Sequence, residues 1–116
     1  MSSKPAFVII ALAALVACDG RSRESAYQSL RPADQATCHA FAQEAVRFAR
    51  GRDAGTSLDD HLKAVGVSCV HRPDTCEGFR LVARDVHQHQ WSVADAGVRV
   101  QENCKRYLEA APEGAE

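Results

Sequence analysis

The sequence predicts an all-α fold: a small bundle of about four short helices held by two disulfides. Three observations point there. Apolar residues recur at three- and four-residue spacing in four separate segments after residue 31. No run of β-branched residues alternates with polar ones over the length of a strand. Four of the five cysteines lie within or beside those helical segments, an even set of the kind that braces small exported domains.

The first segment opens at Pro32, because proline is tolerated in a first helical turn where its missing N–H has no partner. Cys38, Phe41, Ala45, Phe48 and Ala49 then form one apolar face of a helix from about Pro32 to Arg50. Arg47, Arg50 and Arg52 crowd its end, where cations complement the helix dipole, and Gly51 and Gly55 punctuate the exit. Ser57 caps a second helix, with Asp60 at its third position in an acidic form of the capping box. Leu58, Leu62 and Val65 give the apolar edge, His61 falls on the surface, and Gly66 stops the helix.

Residues 67–73 connect to a third helix, which Asp74 is expected to cap with Glu77 three residues on. Its face is Cys76, Phe79, Val82, Ala83 and Val86, while Arg80, Arg84 and Asp85 lie elsewhere. His87 to Gln90 make a polar end, and Trp91 is expected to close onto the core. Ser92 and Asp95 repeat the capping pattern. A fourth helix follows, with the stripe Val93, Ala96, Val100, Cys104, Tyr107 and Leu108. The folded domain spans 32–110, and 111–116, with Pro112 and Gly114, reads as a loose tail.

The N-terminus carries a different signal. Lys4 precedes an apolar run from Ala6 to Ala17, and small residues end it. That order marks an export signal. At twelve residues the run is shorter than the roughly 20 a spanning helix needs. Its ending, Leu15-Val16-Ala17-Cys18, resembles the lipobox of bacterial lipoproteins: an aliphatic residue, a tolerant position, a small residue, then cysteine. The resemblance implies a signal peptide over 1–17, cleavage before Cys18, and covalent lipid on the Cys18 thiol as the only prosthetic group. Asp19 directly after it resembles the inner-membrane retention signal of enteric lipoproteins. Residues 18–31 then form a lipidated, polar tether between membrane and domain.

A second resemblance covers roughly residues 38–104. Cys38, the run Arg50-Gly51-Arg52-Asp53-Ala54-Gly55, Ser57-Leu58, an apolar helix and a closing Cys104 look like a group of small exported helical proteins of bacteria and phages. It supports the helical fold and brings no activity. The Cys69–Cys76 segment departs from the simplest members. Two disulfide pairings suit the spacing. Cys38–Cys69 with Cys76–Cys104 staples each hairpin to itself. Cys38–Cys104 with Cys69–Cys76 ties the first helix to the last around a small inner loop. The resembling proteins that keep only the outer two cysteines favour the second, nested pairing.

Function is narrowed more by charge and size than by motif. Of 116 residues, 99 follow residue 17, enough for one small domain. With 14 basic and 15 acidic residues interspersed, the chain has no nucleic-acid footprint. Cys38 and His39 are adjacent on a helix, about 100° apart, and cannot form a catalytic dyad with each other. There is no Gly-x-Ser-x-Gly and no phosphate-cradling glycine loop, so no enzyme is expected. The expected role is a membrane-anchored, periplasm-facing lipoprotein that binds another protein or supports the envelope, of immunity or inhibitor type. Arg47, Arg50 and Arg52 are its candidate contact strip. The alternative is a metal-binding or metal-sensing lipoprotein using Cys69, His71, Cys76, His87 or His89, ligand types that zinc or copper accepts.

Overall fold

The computed structural model describes residues 29–111. The expected signal peptide over 1–17, Cys18, Asp19 and the tail from Pro112 onward lie outside the described residues. Five α-helices form the domain that begins at Pro32: α1 (Pro32–Asp53), α2 (Leu58–Ser68), α3 (Cys76–His89), α4 (Val93–Glu102) and α5 (Cys104–Leu108). A 3-10 turn, Pro73–Thr75, leads into α3. Among the described residues there is no strand, and both disulfides take the nested pairing, Cys38–Cys104 and Cys69–Cys76.

The helices form where the apolar spacing places them, and that spacing also decides what they bury. On α1, Cys38, Phe41, Ala42, Ala45, Phe48 and Ala49 turn inward. The small residues on this face let α4 come close: a Cβ on Gly97 would stand 3.2 Å from Val46 and 3.5 Å from the Ala42 carbonyl. α3 lays Phe79, Val82, Ala83 and Val86 across the same core. The Phe41 ring meets Phe79 edge-on at 4.8 Å between centroids and Tyr107 at 6.0 Å. Gly78 is required there, because a Cβ would lie 2.5 Å from the Phe41 ring and 2.6 Å from the Tyr107 carbonyl.

Five local expectations are corrected. α1 continues through Gly51 to Asp53, and the chain turns at Gly55, whose φ of +101° suits glycine. α2 runs past Gly66 to Ser68, since one interior glycine weakens a helix by only about 1 kcal/mol. Asp74 does not cap α3: Pro73 starts the 3-10 turn, Asp74 sits inside it, and Thr75 precedes α3 without a side-chain cap. The expected fourth helix breaks at Asn103, whose side chain donates to the Arg99 carbonyl (2.8 Å) and competes with the helical ladder. α5 restarts beyond it with Cys104 and Tyr107 facing the core. Trp91 is half-buried and stacks on His89, with centroids 5.2 Å apart, instead of entering the core.

Candidate functional site

Chemistry-bearing side chains gather where α2 crosses α1 and α3. Ser57 starts α2 by accepting the Asp60 N–H on its hydroxyl at 3.1 Å. One turn on, His61 lies three residues after Leu58 and four before Val65, so it shares their inward face. It is buried, 9 % exposed, which corrects its expected place on the surface. Its ring packs on Phe48 at 4.9 Å between centroids and meets His87 of α3 edge-on at the same separation.

The two imidazoles touch through nitrogen. His61 Nδ1 and His87 Nε2 are 2.6 Å apart, so one ring donates and the other accepts. On the far side of His61 the helix α1 carries Gly51, where a Cβ would come within 2.6 Å of His61 Nε2. That close approach gives a reason for a glycine inside α1. His87 is set in the last turn of α3. The helix ends on Gln90 in the left-handed region (φ 53°), and the Gln90 amide donates back to the His87 carbonyl at 2.6 Å.

Burial lowers the pKa of both rings below the ordinary histidine value. For His61 the carboxylates of Asp60 and Glu44 oppose that effect. For His87 the neighbouring His61 and the Arg52 guanidinium add to it. An open cleft of about 500 Å³ runs beside His61, floored by Phe48, Val65 and Phe79 and bordered by Arg47, Arg72 and the Cys69–Cys76 disulfide.

The expected arginine strip divides. Arg47 is exposed and paired with Glu44 at 2.8 Å, and Arg50 is exposed. Arg52 turns inward, with a side chain 13 % exposed, donating to the Val86 carbonyl at 2.9 Å and pairing with Asp53 at 3.0 Å. At 100° per residue Arg50 and Arg52 point to nearly opposite sides of α1, so one contact strip cannot include both. The candidate metal set is dispersed as well. Cys69 and Cys76 are bonded to each other, His71 borders the cleft, His87 bonds His61, and His89 stacks on Trp91. Among the described residues no three His, Cys, Asp or Glu side chains converge.

A second buried polar cluster escaped the periodicity. Asp85, 3 % exposed, accepts hydrogen bonds from the Tyr107 hydroxyl (2.8 Å) and from Arg106 Nε and Nη2 (3.1 and 3.2 Å). Burial, and then the Asp85 hydrogen bond, push the Tyr107 phenol well above its ordinary range, and Asp85 raises Arg106. The cluster fixes α3 to α5. No family model matches the chain, and no match is found among curated proteins or solved structures. No helix of the described residues is long and apolar enough to cross a membrane.

Proposed function

We propose that the protein is a lipid-anchored, periplasm-facing lipoprotein whose helical domain binds another protein or supports an envelope complex without catalysing a reaction. The allocation of cysteines carries this reading. Four of the five are spent on two disulfides, bonds that persist in oxidising compartments. Cys18 is left, and it stands at the one position of the chain where lipid attachment needs a thiol. The anchor supplies membrane association, and two or three acyl chains hold a protein stably where one does so marginally. Within the domain, exposed Arg47 and Arg50 offer a cationic contact to an acidic partner.

Metabolic labelling with palmitate and membrane fractionation test the anchor. Cys18→Ala should lose the label and move to the soluble fraction; unchanged labelling would sink the lipoprotein reading. In-membrane cross-linking tests the domain's role: an adduct with another envelope protein should form and should weaken when Arg47 and Arg50 are both changed to Glu. Thiol titration of the native protein separates the alternative: metal ligation by Cys69 and Cys76 requires free thiols, and the disulfide leaves none.

A further inference from the structure

α2 is weakly anchored for a helix in a core. Of its eleven residues only His61 and Val65 are buried. One end turns on Gly55, and the other is tied to α3 by Cys69–Cys76. One of the two residues that α2 buries is therefore an imidazole, and that imidazole rests on a second one.

We infer that the His61–His87 pair is an acid-sensitive latch: it holds α2 against α1 and α3 while a lone pair remains between the rings, and releases α2 when both rings are cationic. The chemistry follows from the 2.6 Å contact. In the neutral pair one N–H donates to the other ring's lone pair. A first proton can enter on the outer nitrogen of the donor ring, and the hydrogen bond survives, now charge-assisted. A second proton must take the lone pair that accepts the bond. Two N–H groups then face each other, and two positive charges lie in contact.

The surroundings set how readily this happens. From α1, Glu44 and Arg52 face the pair, with Arg47 tied to Glu44 at the cleft edge. From α2 comes Asp60, and from α3 His87 itself. The two carboxylates favour the first proton on His61, and Arg52 opposes a proton on His87. The two steps belong to the pair, and whichever ring takes the first proton, the second step breaks the contact.

The linkage has a definite sign. Both rings bind protons less readily folded than unfolded, so the latch is fully closed above the ordinary histidine value of 6.5 and weakens as the pH falls below it. Opening uncovers Phe48, Val65 and Phe79, the floor of the cleft. The domain would then present a larger apolar surface under acid, while Cys69–Cys76 keeps α2 attached.

Hydrogen exchange on the full-length protein in detergent micelles, at about pH 7.5 and about pH 5 and corrected for intrinsic exchange, tests the latch. The amides of α2 should open about tenfold or more readily in acid, and those in the centre of α1 should not change. His87→Gln keeps an amide that can bond His61 and removes the second charge, so the acid step should shrink. Where that variant folds poorly, proton NMR of the two wild-type rings decides: their protonation must coincide with the loss of α2 protection. The same acid step in wild type and H87Q, or two rings that take up protons with α2 still protected, would overturn the latch.

Discussion

The two ends of the bundle are closed by different chemistry. At one end α5 is fastened by the Cys38–Cys104 bond, by the Tyr107 ring against Phe41 and by three hydrogen bonds onto buried Asp85. At the other, α2 is held by Val65, by one imidazole-to-imidazole contact and by the Cys69–Cys76 bond at its far end, beside an open cleft. Each end buries polar groups. At the first, a carboxylate is matched to an arginine and a phenol, which keep their protons through neutrality and beyond it. At the second, both partners are imidazoles, and burial lowers their affinity for protons below that of an ordinary histidine. Matching a carboxylate to groups that keep their protons gives a fixed joint in one place, and pairing two titratable rings gives a conditional one in the other.

The largest expected contrast lies in the disulfides. Chain-entropy arguments put the 66-residue closure at about 4.4 kcal/mol and the 7-residue closure at about 2.5 kcal/mol. Replacing Cys38 and Cys104 with Ala should thus lower the unfolding free energy in denaturant more than replacing Cys69 and Cys76. The reverse order would mean that the long bridge adds little to packing already sufficient around α5.

Asp85→Ala comes next, at up to about 3 kcal/mol, because it leaves the buried Tyr107 hydroxyl without its acceptor and removes the partner of the half-exposed Arg106 guanidinium. Asp85→Asn, which still accepts from Tyr107, should cost about half as much. Chemical denaturation at neutral pH measures both. A loss below about 1 kcal/mol for Asp85→Ala would show that α5 is held by the disulfide and its apolar contacts alone.

The smallest effect sharpens the comparison with a matched pair of glycines. Gly78→Ala drives a methyl into the Phe41 ring and the Tyr107 carbonyl, so about 2 kcal/mol should be lost. Gly51→Ala meets only the tip of His61, and it gains up to about 1 kcal/mol of helix propensity. Its net change in thermal stability should be slight, while the His61 and His87 ring resonances move. Equal destabilisation by the two would mean that the α2 joint is as rigid as the α5 joint.

The parts that the sequence made legible are those governed by local rules. Ser57 and Ser92 cap their helices as the patterns around Asp60 and Asp95 indicate. The inward faces of α1 and α3 follow the apolar period, and the nested disulfides agree with the antiparallel placement of first and last helices. What was missed is polar and nonlocal. His61 finds its partner 26 residues away, and Asp85 finds Tyr107 22 residues away. A periodicity that counts His and Asp as surface residues cannot see either. A signal was nonetheless present: His61 keeps the three- and four-residue spacing with Leu58 and Val65, and Asp85 keeps it with Val82. A titratable residue on an apolar stripe asks for a partner, and that question would have located both clusters.

The Cys38–Cys104 bond also decides how the domain bears a pull. Tension applied between its two ends enters within a turn or two of Cys38 and leaves within a few residues of Cys104. Between those points the covalent bridge, with Cα atoms 5.6 Å apart, is by far the shorter path. The load therefore bypasses the centre of α1, all of α2 and α3, and the latch between them. A load applied between the first turn of α1 and the end of α5 could draw the domain taut without its helices unravelling, and the joint between His61 and His87 would answer to protons and not to force.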